Sequence, residues 1–334
     1  MAVVVFNDWT DIKPFLSGSH STNDLETIES QLSSALNDEI LPYLGQAAYA
    51  GLLDAFEADS SDTRDKKAIG YLRGALANLA YFILAKEGAL QITDLGLQQT
   101  TTAETKAPYQ WQVNNFKKQK FEAGTNYLGQ LLVYLESNYA YFTAWAGSDQ
   151  RTEYRKFFIR DLVVFNRYRR IADFGTLLAL WPYMRRIQAD GFSSSITSEL
   201  YAIICSEYTG TISTDIALLI PYVQEVIAHQ SLYNAIYELN FVISAEGFRL
   251  ATWKNDSNNS REERAALDEI GRAKTYLLQA ADGAMSRLIR YLDENASAEK
   301  YAPYYNNIVV PRANAGNEID NLRTSLTTGP SFVL

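Results

Sequence analysis

Apolar residues recur at steps of three and four over residues 25–44, and this spacing predicts an amphipathic helix that Pro42 bends near its end. A second helix is predicted over residues 66–86, where apolar residues occupy most sides of the helix. That distribution is typical of a helix at the centre of a core. A third amphipathic helix is predicted over residues 116–137. The same reasoning predicts four helices in the second half of the chain, over residues 176–189, 195–206, 215–246 and 261–294, with Pro221 ending or kinking the third.

Four short segments occur twice and in the same order, which indicates a tandem duplication. The paired segments are residues 4–7 with 163–166, 69–78 with 220–229, 87–88 with 246–247, and 131–138 with 288–295. We therefore predict an all-α fold with two tandem helical-bundle domains, over residues 1–145 and 146–300. An extended C-terminal arm is predicted over residues 301–334. Alternation and threonine content predict a short extended arm or hairpin at residues 91–102, which a loop at 254–261 replaces in the second copy.

Composition is that of a globular protein: 334 residues, of which 47% are hydrophobic and 21% charged, with a net charge of −9. No apolar run has the roughly 18 residues of a membrane span, and the first residues lack the pattern of a signal peptide. Cys205 is the only cysteine, so an intrachain disulfide is excluded and the residue is interpreted as part of the core.

Candidate chemistry is sparse. The two histidines, His20 and His229, lie far apart in the sequence, and no metal-ligand spacing, phosphate-binding loop or nucleophile elbow occurs. The acidic loops at residues 59–65 and 255–260 are interpreted as solvated turns rather than cation sites. We expect a protein without enzymatic activity, cofactor or metal. An enzyme using carboxylate or tyrosine chemistry is the alternative.

A basic segment lies at the junction of the two copies, where residues 149–190 contain nine basic and five acidic residues. It has three interpretations: a solvated face, a contact with a neighbouring subunit, or a contact with DNA phosphates. We interpret the junction as one helix over residues 151–170. Its candidate contact residues are Arg151, Arg155, Lys156, Arg160, Arg167, Arg169 and Arg170.

The C-terminal arm carries many apolar and aromatic residues for a segment without a helical stripe. It is expected either to dock onto another subunit or to lie back over its own domain. Its candidate docking residues are Tyr304, Tyr305, Ile308, Val309, Phe332 and Leu334. The 22 tyrosines of the chain favour large protein interfaces, with packing between helices as the alternative.

Four segments together carry a resemblance to a known group. They are the helix ending Ile40-Leu41-Pro42-Tyr43-Leu44-Gly45, the core helix at residues 68–86, the turn at 92–96 and the helix closing at 131–135. This pattern resembles the helical head–tail connector (adaptor) proteins of tailed bacteriophages, in particular a tandem form from phages and prophages of gut Bacteroidetes. The resemblance covers most of the first copy and, more loosely, the second.

The resemblance implies a structural virion protein at the head–tail junction, made in the cytoplasm of the bacterial host. Such subunits form a ring, commonly a dodecamer, below the portal, where the ring extends the DNA channel and carries tail proteins. The implied partners are further copies of the chain, the portal protein, other connector or tail proteins and, in passing, genomic DNA, with no membrane. No catalytic residue is implied. The chain departs from the group in its two copies, the insertion in the second and its long arm. The alternative is a cellular helical scaffold that binds one protein partner.

Overall fold

The structure, a computed structural model, describes residues 5–15, 25–87, 110–190, 193–236, 238–239, 241–244, 247–250 and 267–312. These residues are helical apart from connecting turns and one two-stranded hairpin, so the predicted all-α fold is confirmed. Contacts divide the chain into two compact units. Unit 1 is Met1–Trp181 with Asn234–Ala273, and unit 2 is Pro182–Tyr233 with Lys274–Leu334. The domain limits at residues 145 and 300 follow the sequence repeat rather than these contacts, and they stay a prediction.

The helices up to residue 166 are α1 (Trp9–Ile12), α2 (Glu29–Ser34), α3 (Leu41–Leu44), α4 (Gln46–Glu57), α5 (Thr63–Lys86), α6 (Gln110–Ser137), α7 (Thr143–Ala146), α8 (Asp149–Lys156) and α9 (Leu162–Asn166). The later helices are α10 (Phe174–Asp190), α11 (Ser193–Ile196), α12 (Ser198–Thr209), α13 (Thr214–Ala235), α14 (Leu267–Asn295) and α15 (Ala302–Tyr304). The strands are β1 (Phe241–Ser244) and β2 (Gly247–Leu250).

Helix α5 is the central helix of unit 1, as its apolar pattern predicted. Leu72, Leu76 and Leu79 have no exposed surface, and α6 packs along this helix. Each fully buried leucine contributes about 2 kcal/mol through removal of apolar surface from water. By length and composition α5 would also qualify as a membrane span, with a mean hydropathy of 1.4 over 18 residues. Because 72% of that window is buried inside the protein, its apolar residues are used in packing.

The first predicted helix is present and contains a wide turn where Pro42 approaches. A π-helical segment, Ala35–Ile40, joins α2 to α3, and the Leu41 N–H donates to the Leu36 carbonyl five residues back. Proline has no N–H and its ring would collide with the carbonyl four residues earlier in a regular helix. The wide turn accommodates the ring without ending the helix. The chain then turns at Gly45, whose φ of +82° favours glycine.

The predicted junction helix over residues 151–170 is wrong, because two short helices occupy this stretch. Between α8 and α9, residues 157–159 are fully buried, and Phe157 has an extended backbone. A continuous helix would carry part of this apolar run out to solvent. Asp161 starts α9 by accepting a hydrogen bond from the Val164 N–H at 2.8 Å.

The helix predicted over residues 215–246 is also wrong in its last part, since α13 ends at Ala235. Strands β1 and β2 form an antiparallel hairpin in which Phe241 pairs with Leu250. Residues 170–172 extend it, because the Phe248 N–H donates to the Arg170 carbonyl at 3.1 Å. Gly247 has a φ of +113°, and a Cβ there would lie 2.4 Å from the Arg170 oxygen, so only glycine fits. The hairpin predicted at residues 91–102 and the loop at 254–261 lie outside the described residues.

The helices predicted for the second copy are present as α10, α12, α13 and α14, and most of their residues belong to unit 2. Helix α13 continues through Pro221, and α10 likewise contains Pro182. Along α14 the buried residues form one stripe at helical spacing, and its members are Ile270, Leu277, Ala281, Ala284, Leu288 and Leu292. This stripe matches the predicted amphipathic pattern.

The first part of the C-terminal arm differs from the extended conformation predicted for it. Ala302–Tyr304 is helical and continues into a π-helical turn, Tyr305–Val309. Tyr301 and Tyr304 are 6% and 0% exposed, and α15 packs against α12 of the same unit. The two aromatic rings anchor the segment by burial, which a search for helical stripes does not detect. Residues 313–334 lie outside the described part of the chain.

Candidate assembly surfaces

Each copy contains a pair of aromatic rings that joins two of its long helices, and the two pairs correspond in the sequence repeat. In unit 1 the rings of Tyr71 and Tyr134 lie 5.8 Å apart, and in unit 2 those of Tyr222 and Tyr291 lie 4.9 Å apart. The sequence repeat had paired the same residues, Tyr71 with Tyr222 and Tyr134 with Tyr291. The first pair joins α5 to α6, and the second joins α13 to α14. These contacts therefore support the duplication in three dimensions.

The C-terminal ends of α6 and α14 are capped in the same way. Asn138 donates through its Nδ2 to the Tyr134 carbonyl at 2.9 Å, and Asn295 donates to the Tyr291 carbonyl at 2.8 Å. These side chains satisfy carbonyls that the helix end would leave without partners. The asparagines correspond in the sequence repeat, so the cap was duplicated with the helix.

A carboxylate in the last turn of α6 binds side chains from the two helices that follow. Glu136 accepts a hydrogen bond from Trp145 Nε1 at 3.2 Å and one from Arg151 Nε at 2.8 Å. The Arg155 Nε lies 3.5 Å from its other oxygen. The Arg151 and Glu136 side chains are 12% and 20% exposed, so their charges are poorly screened by water. Arg151 and Arg155, predicted as contacts to a subunit or DNA, serve here to fix α8 to the end of α6.

Unit 2 repeats this arrangement at the corresponding residue, Asp293. Tyr304 donates its hydroxyl hydrogen to Asp293 at 2.6 Å, and Arg312 lies 3.3 Å from the same carboxylate. Burial and the hydrogen bond to Asp293 raise the pKa of Tyr304 to about 12. A carboxylate, an aromatic donor and an arginine thus close both copies.

A tyrosine that follows α6 bonds to the first turn of α5, and a tyrosine that follows α14 bonds to the first turn of α13. Tyr141 donates to the Asp65 carboxylate at 2.8 Å, which with burial raises the Tyr141 pKa to about 12. Tyr301 donates to the Asp215 backbone carbonyl at 2.7 Å. Many of the tyrosines that favoured interfaces are therefore engaged within their own units, as the packing alternative expected.

The remaining predicted basic residues divide into two groups. Arg160 caps the end of α8 by donating to the Phe157 carbonyl at 2.9 Å and the Arg155 carbonyl at 2.8 Å. Arg169 lies over the Phe248 ring at 5.1 Å. The exposed members are Lys156, which pairs with Glu153, together with Arg167 and Arg170. In the same stretch of chain, Val163 of α9 is 70% exposed, which sequence reasoning did not predict.

The docking residues predicted in the C-terminal arm differ in their burial. Tyr304 is buried within its own unit, so it is not available to a second subunit. Tyr305, Ile308 and Val309 are half-buried. Phe332 and Leu334 lie outside the described residues.

The structure also contains a buried cation that the sequence did not reveal. Lys120 is 6% exposed, and its Nζ donates to the Oδ1 of Asn78, itself 1% exposed, at 3.3 Å. Burial lowers the Lys120 pKa to about 8. Lys117, Lys118 and Lys120 form a charge run that looks solvated in sequence. The only signal of burial is that Lys120 falls four residues before the small residue Gly124, on the face toward α5.

The described residues outside these clusters were compared with the requirements of a metal or catalytic site. They contain no group of three or more His, Cys, Asp or Glu able to hold a metal ion. In the acidic turn at residues 59–65, Asp62 caps α5 and Asp65 accepts from Ser60 and Tyr141, as expected of a structural turn. Burial raises the pKa of the Cys205 thiol, which fits a core residue. His20 and residues 255–260 lie outside the described ranges.

A family model matches residues 20–155 and 193–311, which together make up most of the chain. The chain belongs to the family of unknown function DUF6712. The two matched DUF6712 segments fall one on each copy of the repeat, which is compatible with a tandem arrangement. No curated protein and no solved structure matches the chain.

Proposed function

We propose that this DUF6712 protein is a structural virion protein, the subunit of a head–tail connector ring. On this proposal the ring lies below the portal, extends the DNA channel and carries tail proteins. The observation that carries the proposal is the repeated closure of each copy by an aromatic donor, a carboxylate and an arginine. These groups hold the helix ends in place. A subunit that acts through its shape needs helix ends that are fixed in this way.

Surface side chains add support. Large apolar residues that remain exposed are Val133, Tyr139, Val163, Ile203, Ile212, Leu218, Tyr276 and Leu278. Single exposed apolar residues are normal, whereas grouped ones mark contacts with other proteins. Three of them, Ile203, Ile212 and Leu218, lie on α12, on α13 or in the turn between them. A protein that assembles has a use for such residues.

The resemblance to connector proteins supplies the identity of the assembly. That resemblance rests on the order of the helices, and the tandem DUF6712 match agrees with two copies of one unit. The expected stoichiometry is a dodecamer, with the portal protein above and tail proteins below.

The test is the assembly state of the purified full-length chain. Sedimentation velocity and negative-stain electron microscopy are expected to show rings, and co-expression with a portal protein is expected to yield a joint complex. A chain that stays monomeric at high concentration and does not join the portal complex contradicts the proposal. A monomer that instead binds one cellular protein identifies a scaffold.

A further inference from the structure

The N-terminal parts of α5 and α13 are built from corresponding residues of the two copies. Continuing the repeat that pairs Tyr71 with Tyr222, Ala68 corresponds to Leu219 and Ile69 to Ile220. All four of these aligned positions are buried. The two segments thus present the same face to their own cores.

The solvent-exposed faces of α5 and α13 differ at this point. Unit 1 has Lys66 and Lys67 exposed at the positions where unit 2 has Ala217 and Leu218. Leu218 is 48% exposed. The duplicate shows that a lysine fits at this position, so solvent exposure alone does not account for the leucine. An apolar side chain retained there is typical of a surface that another protein covers.

Two further large apolar residues are exposed in the segment of the chain just before α13. Ile203 in α12 is 39% exposed and Ile212 in the following turn is 42% exposed. We name Ile203, Ile212, Ala217 and Leu218 the α12–α13 patch. All four are exposed in the part of the chain that the structure describes, so none of the described residues covers them.

Charge indicates what covers the α12–α13 patch. Residues 187–248 contain seven acidic residues and no lysine or arginine. Glu199 and Asp215 are exposed, and they stand four residues before Ile203 and three before Leu218, which places each acid on the same helix face as its apolar neighbour. Lys300 balances part of this charge, with its Nζ 3.2 Å from Asp215.

The complementary surface is in unit 1. Residues 151–170 contain seven basic and two acidic residues. Val163, 70% exposed, stands four residues before Arg167, and Arg170 is also exposed. We name Val163, Arg167 and Arg170 the α9 patch. It joins an exposed apolar side chain to positive charge, as the α12–α13 patch joins apolar side chains to negative charge.

We propose that the α12–α13 patch of one subunit binds the α9 patch of a second copy of this chain. The inference rests on the proposed function, since it names the contact by which the ring forms. Apolar side chains form the centre of the contact and opposite charges at its rim set orientation. Two different surfaces make a head-to-tail contact, the type that closes into a ring.

The first experiment places in unit 2 the lysine that unit 1 has at the corresponding position. Leu218→Lys copies Lys67, so the helix accommodates it, and Gln279→Lys is the control because Gln279 is a polar, exposed residue of α14. We expect Leu218→Lys to raise the concentration needed for assembly by about tenfold or more. Gln279→Lys is expected to assemble as the unaltered chain does. Circular dichroism melts of both variants verify that they are folded.

The second experiment tests the charges. Arg167→Glu is expected to weaken assembly, and adding Asp215→Arg, which copies Arg64 of unit 1, is expected to restore it in part. The unaltered contact is expected to weaken with added salt.

Three results overturn the inference. Assembly of Leu218→Lys like the unaltered chain refutes the contact and leaves the ring proposal standing. Arg167→Glu that assembles normally but no longer binds a duplex DNA probe assigns the α9 patch to DNA instead. An unaltered chain that never assembles refutes the ring and the contact together.

Discussion

Replacing the buried Lys120 with methionine is expected to stabilise the protein. Lys120 is 6% exposed, and its amine donates a hydrogen bond to the neutral side chain of Asn78 at 3.3 Å. Its pKa is lowered from 10.5 to about 8, which corresponds to about 3 kcal/mol of unfavourable free energy for keeping it charged in the folded state. Methionine has a similar length and no charge. Loss of the hydrogen bond with Asn78 offsets about 1 kcal/mol, so a net gain of about 1–2 kcal/mol is expected at pH 7.

The pH dependence has a definite sign. The unfolded chain holds the Lys120 proton up to a pH near 10.5, whereas the folded chain releases it near 8. Between these values the unfolded state binds more protons, so the contribution of this residue to stability rises with pH. Below pH 8 the cost is constant and complete. The advantage of Lys120→Met is therefore expected to be largest at and below pH 7 and to shrink as the pH rises toward 10.5.

Urea unfolding followed by circular dichroism measures both quantities. The free energies of unfolding of the variant and the unaltered chain are compared at pH 7 and pH 10, so that other titrating groups cancel in the difference. Lys66→Met, at an exposed position of α5, is the control and is expected to change stability by less than about 0.5 kcal/mol. A Lys120→Met protein that is less stable at pH 7, or whose advantage does not depend on pH, refutes the reasoning.

Further predictions concern the helix ends and two glycines. Glu136→Gln is expected to cost unit 1 about 2 kcal/mol, because Arg151 is only 12% exposed and loses its carboxylate. Asp293→Asn is expected to cost less, because Asp293 is 40% exposed, and equal losses in thermal melts would contradict this. Gly247→Ala is expected to cost about 3 kcal/mol or more, through its positive φ and the backbone oxygen 2.4 Å from the new Cβ. Gly283→Ala, with its nearest neighbour a flexible side chain at 3.5 Å, is expected to stabilise α14 by about 0.5–1 kcal/mol, and urea midpoints distinguish the two.

Local pattern predicted most of the helices because a helix must bury one face, and the spacing of apolar residues records that face. It failed where a short apolar run is buried from all sides. Residues 157–159 are such a run, and Phe241 and Phe248 are buried in the strands of the hairpin; spacing does not distinguish a buried extended segment from a buried helix. The partner decided these cases: the Arg170 carbonyl pairs with the Phe248 N–H and selects the strand.

At the candidate surfaces, too, the sequence identified the residues and the structure identified their partners. Sequence identified the basic junction residues but not their uses, since a charged side chain is equally compatible with solvent, a carboxylate or another molecule. The structure assigned Arg151 to Glu136 and Arg160 to the end of α8, and it left Arg167 and Arg170 exposed. The acidic stretch at residues 187–248 was countable from sequence, and its significance follows only from knowing which apolar residues beside it are exposed.

By itself the sequence determined the helical class and the duplication, because helical periodicity and repeated segments are properties of neighbouring residues. Only the tertiary structure decided which groups meet: that Tyr134 and Tyr291 have the same type of partner, that Lys120 is buried, and that Val163 and Leu218 face water. Burial depends on chain segments far apart in sequence, and no local pattern contains that information.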